Sequence, residues 1–203
     1  MTGRLGWALR CGAMAVVSLF LVGFESPAAA PRRVSIPLDC SRGPSGQMHN
    51  IVITVPAHVP AGSRYTVRVD GVDSGRISHT GLRYIFDMGY EWLVPPAARY
   101  VEGSARVVPG TGSENVRPGA RMVHTSGSVE LVLPAHVDSG SSYTPPSFEF
   151  ELDAAGAPGA SITQSFSGYH VTANAFLVGD VHTSCEPVPR PFPVAVTRVE
   201  AGS

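Results

Sequence analysis

"HNIVITVPAHVPAGSRYTVRVD", His49 to Asp70, sets the fold class by its period. His49, Ile51, Ile53 and Val55 fall on one side of an extended chain. Tyr65, Val67 and Val69 fall on one side of a second, with Arg68 opposite. Between the two runs Pro56 must end the first strand, because it has no N–H to give a sheet ladder. Val59 is placed to tuck an apolar side chain under the turn, and Gly62 permits a left-handed backbone. The stretch therefore reads as strand, turn, strand.

The same pattern returns. "PAHVPAGSRYT" (56–66) and "PAHVDSGSSYT" (134–144) match at eight of eleven positions with an offset of 78. Ile51, Ile53 and Val55 align with Val129, Leu131 and Leu133. After a three-residue insertion, "TPP", Val67 and Val69 correspond to Phe148 and Phe150. Tyr65 or Tyr143 then begins the second strand of each copy. Every repeated residue has a structural task, so the chain is expected to consist of two related halves, about 48–108 and 113–185. His58 and His136 could meet across a pseudo-twofold axis and bind a metal, but a third or fourth ligand is missing. They read as turn residues, and no metal site is expected. His49, His79, His124, His170 and His182 are scattered singly. Arg64 and Arg68 line the outer face of one repeated strand, Glu149 and Glu151 that of the other. Neighbouring strands would pair them; two separately solvated faces are the preferred reading.

Glycine and proline exclude long helices. After residue 28 the longest run free of both is ten residues, Tyr169 to Val178, against about 11–12 for an average helix. "SFEFELD" places Phe148, Phe150 and Leu152 on one face, and "YHVTANAFLV" places Val171, Ala173, Ala175 and Leu177 on one face. Such alternation between frequent turns predicts an all-β antiparallel sandwich. Residues 1–28 differ. Arg4 and Arg10, an apolar core from Cys11 to Phe24, and the small residues of "ESPAAA" read as a signal-peptide helix cut after Ala28. Fourteen core residues fall short of the ~20 that span a membrane, so no stable span is expected once the leader is removed.

Without the leader, three cysteines become two, Cys40 and Cys185. An exported chain with an even count is expected to join them. The sandwich then extends from about residue 34 to 187, as one body or two small packed domains, with 188–203 ("PVPRPFP" onward) as an extended Pro-rich tail outside the core. The chain has no lysine, and past residue 28 its 13 arginines face 15 acids. No basic surplus marks it for nucleic acid.

The segments "IPLDC", "VPAHVPAGSRYTVRV", "LVLPAHVDSG…SFEFEL" and "VHTSCEPVPRPFPV" resemble a group of secreted actinobacterial proteins, mostly uncharacterised. The resemblance implies an Ig-like β-sandwich with a cysteine near each end, and it carries over no catalytic residues. No Gly-x-Ser-x-Gly, P-loop, Gly-x-Gly-x-x-Gly or His-Glu-x-x-His occurs. "DGVDSG" (70–75) lacks the spacing of a calcium loop. No cofactor is expected. The preferred reading is a secreted, non-catalytic module of the cell envelope or extracellular space with an unnamed partner there. Its binding surface would be Arg83, Tyr84, Phe86, Tyr90, Trp92, Arg99 and Tyr100, since aromatics with Arg favour interfaces. An apolar-ligand carrier with its site between the sheets, and an enzyme with an unrecognised site, are the alternatives.

Overall fold

The computed structural model describes residues 29–43 and 46–202, and the expected signal helix lies outside them. The described residues form strands, turns and loops without a helix. In chain order the strands are β1 (Ala30–Cys40), β2 (Gln47–Val55), β3 (His58–Pro60), β4 (Arg64–Gly71), β5 (Leu82–Leu93), β6 (Ala98–Tyr100) and β7 (Arg106–Val107). They continue as β8 (Arg121–Thr125), β9 (Ser128–Leu133), β10 (Val137–Asp138), β11 (Phe148–Ala154), β12 (Ser161–Ala175), β13 (Gly179–Pro187) and β14 (Phe192–Glu200).

The chain is an antiparallel Ig-like β-sandwich. One leaf runs β6, β11, β4, β2, β1, and the other β13, β12, β5, β9, β8. β1 joins them. Ala30 to Leu38 pair with β2, and Leu38 to Cys40 pair with β13. Cys40 and Cys185 stand directly opposite on that seam and are disulfide-bonded.

Alternation explains the packing. Ile51 and Ile53 of β2, Val67 and Val69 of β4, and Phe148, Phe150 and Leu152 of β11 turn one buried face inward. Val129, Leu131 and Leu133 of β9 and Met88, Tyr90 and Trp92 of β5 meet them from the other leaf. Trp92, 2 % exposed, lies edge-on to Phe166 of its own leaf (5.4 Å) and to Phe148 (5.9 Å), which ties it to the other leaf. Each such side chain contributes roughly 1.5–3 kcal/mol by leaving water.

The repeated segments do the local work expected of them. Pro56 and Pro134 follow the last residues of β2 and β9, Val59 and Val137 are buried, and Gly62 and Gly140 take φ of +76° and +89°. Their surroundings differ. β3 runs parallel to β14, whereas β10 runs antiparallel to β5. Tyr65 is the second residue of β4, but Tyr143 precedes β11 by five residues, because Pro145 and Pro146 have no N–H to give the ladder. The outer charges also depart from separate solvation. β4 and β11 are neighbours, and Arg64 meets Asp153 (3.0 Å) and Glu151 (3.8 Å), while Glu149 pairs with Arg106 and Arg68 with Asp70 (2.8 Å).

The expected tail is a strand. β14 pairs with β12 and with β3, and it buries Val194, Thr197 and Val199. Its physical reason is legible in "AVTRVE". Ala195, Thr197 and Val199 alternate inward against exposed Val196, Arg198 and Glu200, so period two resumes once the prolines end. The Thr197 hydroxyl donates to the Pro56 carbonyl at 2.8 Å. The sandwich thus extends from Ala30 to Glu200 rather than 34–187.

Two outcomes follow for stability. Replacing both cysteines by serine opens a loop of 145 residues, which should lower unfolding free energy by roughly 4–5 kcal/mol on chain-entropy grounds. Urea denaturation of the variant, compared with the oxidised wild type, checks this. Trp92→Ala should cost about 3–5 kcal/mol, read as a clear fall in melting temperature.

Candidate functional site

The seven residues expected to form one binding surface are split three ways. Tyr90 (4 % exposed) and Trp92 are core, because β5 is a central strand and its inner face is buried. Arg99 and Tyr100 sit on β6, at the outer edge of the opposite leaf, where Tyr100 stacks on His124 at 3.8 Å. Only Arg83, Tyr84 and Phe86 stay together, with Tyr84 beside Phe86 (5.8 Å) and over His136 (4.0 Å). His58 and His136 are satisfied separately, by Glu200 (2.9 Å) and by Asp138 (2.9 Å). Among the described residues no group of three His, Cys, Asp or Glu side chains is placed to hold a metal.

The structure assembles a different site. At the end carrying Arg42 and the 72–80 loop, the leaves part around a cavity of about 490 Å³. The cause is side-chain size. Along the inner face of β12 the residues shrink from Tyr169 to Val171, Ala173 and Ala175, and they leave space that Trp92, Phe148 and Phe166 fill at the other end. Val181, Thr183 and Cys185 of β13 extend the same wall, and Leu38, Met48 and His49 face it from β1 and β2. The volume falls in the range of small-molecule sites, ~300–1,000 Å³.

The floor is aromatic. His49 stacks on Tyr90 (4.9 Å) and near Phe166 (5.3 Å), with Tyr169 parallel at 6.5 Å. The hydroxyls of Tyr90 and Tyr143 hydrogen-bond at 2.6 Å, and the Tyr90 and Tyr169 rings lie 4.8 Å apart. Tyr143 comes from far along the chain, and its loop is braced on both sides. The Tyr143 and Ser74 backbones and the Ser74 hydroxyl hold one side (2.8 and 3.0 Å), and Ser113 holds Thr144 on the other (3.0 and 2.8 Å). Gly71 makes this fit possible, since a Cβ there would sit 2.1 Å from the Pro145 carbonyl oxygen.

Burial determines the electrostatics. Loss of water pulls the His49 imidazole from 6.5 down to about 4, so the ring is neutral at ordinary pH. Burial pushes the hydroxyls of Tyr90, Tyr143 and Tyr169 up, so all remain protonated. Two mutually bonded hydroxyls keep one proton to donate and lone pairs to accept. The floor thus offers hydrogen bonds without a fixed charge, beneath an apolar wall. The charged side chains lining the cavity, Arg42, Arg76 and Asp73, are exposed at its rim.

Sequence reasoning placed His49 on an inward face but not in a cavity, and it missed Tyr143 and Tyr169. Two signals were present: paired small residues, Ala173 and Ala175, on an inner face, and the "TPP" insertion after Tyr143.

The sequence matches no protein-family model and no curated protein. Among solved structures, a Corynebacterium diphtheriae protein named as membrane anchored superposes with a TM-score of 0.52 at 14 % identity. The alignment covers 85 % of this chain and 38 % of that one, so this chain spans well under half of that protein. The likeness is one of fold. A cohesin module from a Clostridium perfringens family 33 glycoside hydrolase aligns over 82 % of this chain and 99 % of that one, with a TM-score of 0.40 and 10 % identity, too loose to support more.

The His49 shift sets a pH dependence. The unfolded chain takes up this proton near pH 6.5 and the folded chain only near 4. The stabilising contribution is therefore complete above about pH 6.5 and is lost as pH falls toward 4, a change on the order of 3 kcal/mol. His49→Phe keeps an aromatic ring without the proton site. Its unfolding free energy should fall less between pH 7 and 4.5 than the wild type's, by chemical denaturation at both values.

Proposed function

We propose that this chain is an exported, non-catalytic binding module that holds a small, largely apolar ligand with one hydrogen-bonding end between its sheets. The observation that carries this reading is the cavity of about 490 Å³, walled by Val171, Ala173 and Ala175 and floored by tyrosine hydroxyls and a neutral imidazole. An apolar body fits the wall. A neutral polar group, such as a hydroxyl or carbonyl, fits the floor, where an ionised group would meet no opposite charge. Turnover is disfavoured because the deep end presents rings and hydroxyls without a paired carboxylate, and the one carboxylate lining the cavity, Asp73, lies at the rim. Export, to the envelope or beyond it, rests on the reading of residues 1–28 as a cleaved leader, and the Cys40–Cys185 bridge suits an oxidising compartment. This adopts the alternative reading of the sequence, an apolar-ligand carrier with its site between the sheets, in place of the preferred aromatic binding surface.

Titration with a polarity-sensitive fluorescent fatty-alcohol analogue, whose head group is neutral, together with native mass spectrometry of protein recovered from secreting cells, tests the reading. Saturable one-to-one binding is expected. Ala173→Trp, which fills the cavity, should weaken it at least about tenfold, the equivalent of ~1.4 kcal/mol. A titration that never saturates, or one unchanged in the variant, rejects the proposal.

A further inference from the structure

Six large apolar side chains stand exposed among the described residues, and four of them gather at the open end of the sandwich. Met48 lines the cavity; Phe176, Leu177 and Val178 form the apex between β12 and β13. Leu177 is 90 % exposed. The apex is held in place. Ala175 pairs with Gly179, Asn174 Nδ2 donates to Asp180 at 2.6 Å, and the Phe176 N–H donates to the Gly81 carbonyl at 2.8 Å. Just below it, Ala175 and Val181 are already cavity wall. A braced apex carrying three consecutive apolar residues has no evident use in the core.

Shape and charge decide between a protein and a lipid partner. The apex is a hairpin tip that exposes three consecutive apolar side chains, with Arg83 over Phe176 on one side. A folded partner would cover one side of it, whereas the fluid interior of a bilayer closes around all three side chains. The Arg83 guanidinium lies 5.0 Å over the Phe176 ring, and Arg42 and Arg76 stand on the cavity rim. None of the three forms an ion pair among the described residues. Nearby Asp73 and Asp180 accept hydrogen bonds from the Gly75 N–H and Asn174. An exposed apolar tip with one unpaired cation over it and two more on the neighbouring cavity rim matches anionic headgroups above acyl chains.

We propose that the Phe176–Val178 apex inserts into the headgroup–acyl boundary of an anionic lipid surface and sets the cavity mouth against it. This goes beyond the cavity reading and does not require it.

The test uses the whole chain with Leu177→Trp, whose added emission is read against the unsubstituted protein. Vesicles of phosphatidylglycerol and phosphatidylcholine carry bromine high on the acyl chains. Insertion predicts a blue shift and quenching specific to the added Trp, both reduced by salt or by omitting phosphatidylglycerol. Replacing Phe176, Leu177 and Val178 together by serine should weaken partitioning at least about a hundredfold. Unchanged Trp emission with vesicles, or equal partitioning of the triple-serine variant, overturns the proposal. Apex-dependent capture of a protein, or self-association in sedimentation, without quenching would assign the apex to a protein contact and also overturn it. A non-fluorescent cavity-filling change, Ala173→Phe, added to the Leu177→Trp chain should leave quenching intact, so failure here and failure of the cavity reading are separable.

Discussion

Strand β1 belongs to both leaves. Its first nine residues pair with β2, its last three with β13, and the Cys40–Cys185 bridge locks the change of partner. A sandwich whose leaves separate at one end forfeits dispersion contacts there. The bridge lies on that seam, and Cys185 is itself part of the cavity wall. A cross-link contributing a few kcal/mol is a large fraction of a domain's ~5–15 kcal/mol. The staple therefore stands where the missing packing is felt.

The core has two characters as a result. Toward one end Trp92 and Phe166 of one leaf pack with Phe148 of the other, and all three are buried. Toward the other, Val171, Ala173, Ala175 and Val181 border open space, and the aromatic residues at its floor, three tyrosines and His49, bring polar atoms with them. The Tyr90 and Tyr143 hydroxyls are satisfied by each other rather than by charge. Gln164 shows the same economy toward the Trp92 end, where its buried amide donates to Tyr65 Oη at 3.2 Å.

The outer faces settle their charges locally. Arg64 with Asp153 and Glu151 knits β4 to β11. On the other leaf Glu130 reaches His170 at 3.4 Å across Gly89, where any Cβ would collide with both. These exposed pairs add little stability each. Arg42 and Arg76 at the cavity rim and Arg83 over Phe176 take part in no such pair among the described residues.

How much of this was legible follows from what each signal depends on. Strand existence, inward faces, the left-handed glycines of the twin turns and the cysteine pairing are local or arithmetical, and a period of two with frequent Gly and Pro was enough to read them. β14 was equally legible in "AVTRVE" and was missed because the prolines before it suggested a tail. The sequence by itself determined that this chain is a sandwich of alternating strands with two cysteines to join. Only the tertiary structure decided that Trp92 is core, that Tyr143 meets Tyr90, and that β12 faces empty space. Those outcomes turn on which strands become neighbours and where loops 72–80 and 141–147 lean on each other, and pairings across more than sixty residues leave no trace in any single stretch.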